Sequence, residues 1–102
     1  VILRLATTGS IHRILVDTCH FKGNYPDRCS IEACWSATDE AVINGAVAWT
    51  TLLPEVKLQA DAEHVYEKEI QAKPVVSHIR LYIFPDGGVS RLRLYGFKKS
   101  NP

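Results

Sequence analysis

The segment from Asp17 to Asn24 brings a carboxylate, an imidazole and an amide together where a β-rich run gives way to a loop. Such side chains can orient a ligand or move a proton, and binding residues concentrate in loops that follow a rigid element. Asp17 and His20 stand three positions apart, so on a straight strand they would face opposite ways unless the strand bends. The alternative is that Asp17 and Asn24 hold the loop by hydrogen bonds to backbone N–H groups.

A second chemical feature is the run of alternating arginines and aliphatic residues in Ser77–Gly96. Its period of two is typical of half-buried strands, and Pro85–Gly88 is a turn sequence in which glycines can take positive φ. We predict two strands joined by that four-residue loop. Leu81 would then face Leu92 and Ile79 would face Leu94.

The same register predicts a polar face on this hairpin, on which Arg80 lies opposite Arg93. Two opposed arginines repel each other unless an anion or a carboxylate side chain lies between them. The face therefore indicates either an anion site or ion pairs with a neighbouring strand. Its expected members are His78, Arg80, Tyr82, Arg91, Arg93 and Tyr95.

No standard catalytic or metal-binding motif occurs in the chain, and its four histidines lack metal-ligand spacing. Cys29 and Cys34 would point to opposite faces of a strand, so we expect reduced thiols and an intracellular protein. A disulfide from Cys19 to one of them is the minority alternative. We predict no cofactor and no metal ligand, and the sequence leaves the metal requirement open.

The elements that must position these residues are short strands separated by turn signals. We expect strands in five further segments and a turn at Thr7–Ser10, and we expect Ser36–Val47 to be an irregular loop rather than a short helix capped by Thr38. A βαβ fold would need long helical crossovers, which are missing from this pattern. The sequence predicts an all-β sandwich or jelly roll, with further strands at Val1–Leu5, Ile11–Phe21, Cys29–Trp35, Trp49–Leu53 (ending at Pro54) and, as an edge strand, His64–Ile70.

Composition limits the possible functions further. A chain of 102 residues forms one domain at most, and a net charge of +1 does not suit a nucleic-acid binder. No apolar run approaches the roughly 18 residues that would indicate a membrane-spanning helix. The chain has no methionine and opens on an apolar segment, so we expect a piece of a longer protein.

Two segments together resemble one family. Val16–Asp27 and His78–Arg93 resemble the repeat of allantoicase, and Trp49 and Leu52–Pro54 fit at the expected place between them. The resemblance covers nearly the whole chain, and Phe21–Pro26 is more like the second of the family's two repeats. It implies a jelly-roll β-sandwich of galactose-binding-like type, with residues 1–102 as one repeat domain of a two-repeat protein.

The resemblance also implies a function, the hydrolysis of allantoate to ureidoglycolate and urea in purine breakdown. The implied partners are a small ureide substrate, the second repeat and further copies in a homo-oligomer, in the cytoplasm or the peroxisome. A non-catalytic binding module on the same scaffold, or an inactive member of the family, is the alternative.

Allantoate is a carboxylate that carries two ureido groups, so its hydrolysis needs an anion clamp and an acid or base. From side-chain chemistry we expect Arg80 or Arg91 to be the clamp and Asp17 and His20 to act as acid, base or orienting group. Asn24 and Asp86 would support substrate binding.

Overall fold

The computed structural model describes residues 1–71, 75–85 and 87–99, and these residues form six β-strands and one short helix. The strands make up an antiparallel sheet, which confirms the prediction of an all-β fold. In chain order the elements are β1 (Ile2–Asp17), β2 (Arg28–Cys34), α1 (Asp39–Ile43), β3 (Thr50–Lys57), β4 (Glu63–Tyr66), β5 (Val76–Phe84) and β6 (Arg91–Lys98).

The long strand β1 organises the sheet, whose order is β3-β2-β5-β1-β4 with β6 also paired to β1. Gly9 pairs with Val76 of β5 and with Lys98 of β6, so these two strands lie on opposite edges of β1. From Ile14 to Asp17, β1 lies between β4 and β6. The first part of β1 therefore belongs with β5, and the last part ends between two other strands.

The sheet curls around one apolar core to which all six strands contribute. Ile14, Val16, Ile31, Leu53 and Ile79 are completely buried in it. The predicted strand at Cys29–Trp35 is confirmed as β2, whose alternate residues are buried as its pattern predicts. The edge strand predicted from His64 is confirmed as the shorter β4.

The hairpin predicted for Ser77–Gly96 is wrong in its pairing, although both of its strands exist. β5 lies between β2 and β1, whereas β6 pairs with β1. Arg80 therefore lies beside Glu32 and Ile2 instead of Arg93. The turn sequence gives the chain a place to change direction, but the partner of each strand is decided by the distant residues it packs against.

The turn predicted at Thr7–Ser10 is also wrong, because β1 runs through it without a break. A Cβ on Gly9 would lie 2.3 Å from the carbonyl oxygen of Phe97. Glycine is needed here because the β6 backbone approaches closely, and not because the chain turns.

Two further corrections concern the middle of the chain. Asp39–Ile43 forms α1 in place of the irregular loop, because the Thr38 side chain caps it by accepting the N–H of Ala41. β3 continues through Pro54, where we expected it to end. A proline is tolerated there because β3 is an edge strand. Among the described residues, no helix is long and apolar enough to cross a membrane.

Candidate functional site

Three charged side chains lie side by side where β1 ends. Asp17, the last residue of β1, is the register partner of Glu63 on β4 and of Arg91 on β6. Directly opposed residues of antiparallel strands project from the same face. The result is a row of two carboxylates and one guanidinium across three adjacent strands. We call these three residues, together with Cys19, the β1-end cluster.

Asp17 is the most enclosed member of this cluster, with 6% of its surface exposed. The side chain of Cys19 donates a hydrogen bond to its carboxylate, the Cys19 backbone N–H donates another at 2.8 Å, and Arg91 adds a nearby positive charge. These contacts hold the pKa of Asp17 below its ordinary value. Asp17 is therefore ionised at neutral pH, which suits an orienting role better than proton transfer.

Cys19 has the opposite perturbation. Its hydrogen bond to Asp17, its burial and the charges of Asp17, Asp61 and Glu63 raise the pKa of the thiol to about 11. Asp17, Cys19 and Glu63 each place a possible metal-ligand atom within 4.8 Å of the others, the one such group in the described part of the chain. A thiolate is the ligand form of cysteine, and the raised pKa keeps this thiol protonated at neutral pH.

The loop that follows β1 is held by hydrogen bonds between side chains and the backbone. Asp61 accepts the N–H of His20 at 2.7 Å, and the Thr18 hydroxyl donates to the carbonyl of Gln59 at 2.6 Å. His20 itself is exposed and takes φ 75°, a left-handed conformation. The loop role predicted for Asp17 is confirmed by its bond to the Cys19 N–H. His20 follows the end of β1 by three residues and lies in the same loop.

The two segments that carry the family resemblance meet at this end. The N–H of Gly88 donates to the carbonyl of Asn24, and the N–H of Ser90 donates to the carbonyl of Asp17, both at 2.8 Å. Asn24 thus uses its backbone in this contact, while its side chain is exposed. Arg91 is positioned relative to Asp17 by these bonds and by the β1–β6 register.

The glycines of the predicted turn serve this contact. A Cβ on Gly87 would lie 2.4 Å from the backbone nitrogen of Pro26, and one on Gly88 would lie 2.0 Å from the Phe21 ring. Neither glycine has φ in the left-handed region. Among the described glycines, Gly45 is the one that does. Close packing, and not the positive φ that we expected, requires glycine at both positions.

Arg80 does not join the β1-end cluster. Its Nε and Nη2 donate to Glu32 Oε1 at 3.0 and 2.6 Å, and its guanidinium lies 4.3 Å from the centre of the Trp49 ring. The ion pair with a neighbouring strand, one of the two predicted alternatives, is therefore present for this arginine. Asp86 lies outside the described residues.

His78, another expected member of the polar face, is buried and does not join the β1-end cluster. It is 3% exposed, and its Nε2 lies 2.8 Å from Asp39 Oδ1 while its Nδ1 lies 2.7 Å from the Ser77 hydroxyl. Ser77 also accepts the backbone N–H of Ser36 at 2.8 Å. This chain of hydrogen bonds anchors α1 and the loop before it to β5, which is a structural role.

Sequence reasoning missed Glu63, Asp61 and the carboxylate-bound state of Cys19. No local pattern marks Glu63, because its place beside Asp17 depends on β4 pairing with β1. Cys19 does carry a local signal, since it follows Asp17 by two residues at a strand end, where an aspartate commonly accepts the N–H two positions on.

These features define a class, an antiparallel all-β domain with a carboxylate–guanidinium cluster where its long central strand ends. Comparison with known proteins gives the family: residues 1–99 match the model named Allantoicase repeat. The chain belongs to the allantoicase family. It is 52% identical over 97 residues to a Burkholderia mallei protein named probable allantoicase 1, and 50% identical over 103 residues to a probable allantoicase of Rhizobium meliloti.

The solved structures agree with the family match. The crystal structure of allantoicase from Saccharomyces cerevisiae superposes with a TM-score of 0.76 at 37% identity, over 94% of this chain and 26% of that one. The alignments cover 93% and 94% of this chain against the Burkholderia and Rhizobium relatives, but only 29% and 30% of those proteins. The chain therefore spans less than a third of the length of these relatives.

Proposed function

We propose that this chain is part of an intracellular enzyme that hydrolyses allantoate to ureidoglycolate and urea in purine catabolism. Family membership supports an enzyme over a non-catalytic module. One observation supports the choice of particular residues, namely the row of Glu63, Asp17 and Arg91. This row lies where the two segments that resemble the allantoicase repeat come into contact.

The row suits the substrate's chemistry. A ureido group presents N–H donors that carboxylates accept, and a guanidinium binds the substrate carboxylate through paired hydrogen bonds. We assign the clamp to Arg91 and not to Arg80, whose Nε and Nη2 are taken by Glu32. Glu63 is added to the substrate-binding residues.

The reaction breaks one bond between the central carbon and a ureido nitrogen. Water supplies a hydroxyl group to that carbon and a proton to the nitrogen, which leaves as urea. Asp17 remains ionised and orients the site. We assign proton transfer to His20, which is exposed on the loop that follows Asp17. Asn24 lies on the same loop and supports binding.

We further propose the family's jelly-roll sandwich for the complete domain, a second repeat in the same polypeptide, and a homo-oligomer. The curled sheet supports the first, because β1 is shared between β5 at its start and β4 and β6 at its end. The length of the relatives supports the second.

The test is urea release from allantoate by the full-length protein and its Arg91→Ala variant. Losing a charged hydrogen-bonding partner costs about 1.5–3 kcal/mol, so the KM for allantoate should rise about 10- to 100-fold. Arg93→Ala is the matched control, because Arg93 is exposed on the same strand but pairs with Leu15. An unchanged KM in Arg91→Ala would remove the clamp, and a full-length protein that releases no urea would remove the reaction.

A further inference from the structure

The turn that follows β1 has a histidine at a position where the backbone favours glycine. The N–H of Phe21 donates to the carbonyl of Thr18 at 3.0 Å, which closes a β-turn over these residues. His20 is the third residue of this turn and has φ 75°, in the left-handed region. Turns with positive φ at that position favour glycine or asparagine, because a side chain is strained there. The turn alone therefore does not explain a histidine at position 20.

A residue of another loop holds this turn. Asp61, between β3 and β4, accepts the N–H of His20 on its Oδ1 at 2.7 Å and donates its own N–H to the carbonyl of Phe21 at 3.1 Å. One residue therefore holds the chain on both sides of the His20 Cα. Asp61 itself has φ 48°, also in the left-handed region. Such conformations persist where the surrounding structure holds them, and they concentrate at functional sites.

The loop that carries Asp61 is fixed to the chain just after β1. The N–H of Thr18 donates to the carbonyl of Ala62 at 2.8 Å, and the N–H of Ala62 donates to the Thr18 hydroxyl at 3.1 Å. The negative charge of Asp61 is one of those that raise the pKa of Cys19, so Asp61 lies close to the β1-end cluster. Because His20 is exposed, little packing fixes its imidazole. The direction of its Cα–Cβ bond is set by the backbone that Asp61 holds.

We propose that Asp61 is a positioning residue, whose carboxylate oxygen holds the left-handed backbone of His20 and so directs the imidazole toward the β1-end cluster. The imidazole gives a proton to the departing ureido nitrogen and regains one from the attacking water. This inference rests on the proton transfer that we assign to His20 in the proposed function. It requires the position of the Asp61 oxygen and not its charge, because that oxygen accepts a backbone N–H.

The test is urea release from allantoate by the full-length protein, with kcat and KM measured separately. His20→Ala should lower kcat by about 100-fold or more, the usual contribution of general acid–base catalysis. Asp61→Ala and Asp61→Glu should lower kcat about 10- to 100-fold, because a catalytic group displaced by about 1 Å loses that much. Asp61→Asn keeps an Oδ1 acceptor and tolerates the left-handed backbone, so its kcat should stay within about 3-fold of the parent. KM should change less than about 2-fold in all three Asp61 variants.

The comparison of Asp61→Asn with Asp61→Glu decides the question even if Asp61→Ala does not fold. Asparagine keeps the position of the oxygen without the charge, whereas glutamate keeps the charge and moves the oxygen. The positioning role would be overturned if Asp61→Asn lost as much kcat as Asp61→Glu, or if neither lost any, and the role of His20 would remain. An unchanged kcat in His20→Ala would overturn the proton transfer and this inference together.

Two control variants separate positioning from stability. Thr38→Ala removes the same kind of bond, a side-chain oxygen that accepts a backbone N–H, at α1. It should lower the urea midpoint and leave kcat unchanged, and a loss of kcat equal to that of Asp61→Ala would overturn the positioning role. His20→Gly relieves the left-handed backbone, so its urea midpoint should match or exceed that of the parent while kcat falls as in His20→Ala. A lower midpoint in His20→Gly would contradict the strain on which the inference depends.

Discussion

Replacing Gly87 by alanine should uncouple the two segments that form the β1-end cluster. The added Cβ would lie 2.4 Å from the nitrogen of Pro26 and 2.5 Å from the carbonyl carbon of Tyr25, whereas ordinary contacts lie at 3.4–4 Å. Both atoms belong to the backbone, so a whole loop must move by about 1 Å. Overpacking of this kind costs about 1–3 kcal/mol, and the rigid partners place Gly87→Ala near the upper end.

The chain supplies two matched controls for this prediction. A Cβ on Gly88 meets the side-chain ring of Phe21, which can rotate away, so Gly88→Ala should cost less. A Cβ on Gly23 meets nothing within 4 Å, and Gly23 lacks a left-handed φ, so Gly23→Ala should be neutral or stabilise by about 0.5 kcal/mol.

Urea unfolding of the full-length variants measures the order of their losses in stability. The KM for allantoate reports whether the β1-end cluster is displaced when the loops move. Gly87→Ala should lower the unfolding midpoint most. It should also raise KM, because the loop that holds Pro26 follows Asp17, the loop that holds Gly87 precedes Arg91, and moving these loops apart would displace both residues. Equal midpoints for Gly87→Ala and Gly23→Ala would refute the close approach that we infer between the two loops.

Two further predictions concern stability. Glu32→Ala should cost about 1–2 kcal/mol in urea unfolding, because it removes a half-buried carboxylate from Arg80. Glu55→Ala breaks a more exposed pair with Arg28 and should cost less than about 1 kcal/mol, so equal losses would contradict this ranking. Burial raises the pKa of Cys29 from 9.0 to about 11, so the folded state retains a proton that the unfolded chain loses as pH rises. The free energy of unfolding should therefore fall between pH 9 and 11, by up to about 3 kcal/mol from this thiol, and Cys29→Ala should reduce the slope; an identical slope in both proteins would exclude this cause.

Local chemistry was sufficient to predict strands. The alternation in β2 correctly predicts that Cys29, Ile31 and Ala33 lie in the core. Only one orientation of such a strand buries its apolar side chains and leaves its polar side chains in solvent. The alternation in β5 and β6 likewise predicts two strands. Periodicity reports which face of a strand is buried, but it carries no information about which strand lies beside it.

The pairing of the strands determines which charged side chains become neighbours, and the local sequence pattern does not predict that pairing. Arg80 lies beside the carboxylate of Glu32 because β5 pairs with β2. Asp17 lies between Glu63 and Arg91 because β1 pairs with both β4 and β6. The glycines at positions 9, 87 and 88 share this origin, since each allows a close approach by residues distant in sequence. Glycine was therefore an ambiguous signal: a turn and a tight contact both require it, and only the fold distinguishes them.

The β1-end cluster shows how two distant segments can form a candidate site that neither segment defines alone. Asp17 and Arg91 are brought together by a strand register and by backbone bonds from Gly88 and Ser90, so their relative position does not depend on a direct ion pair. A guanidinium held in this way can bind a substrate carboxylate without first breaking a bond to Asp17. Arg80 has the opposite arrangement, because binding a substrate would require it to give up Glu32. This difference in cost, and not the presence of arginine in the alternating pattern, is the reason that we propose Arg91 as the clamp.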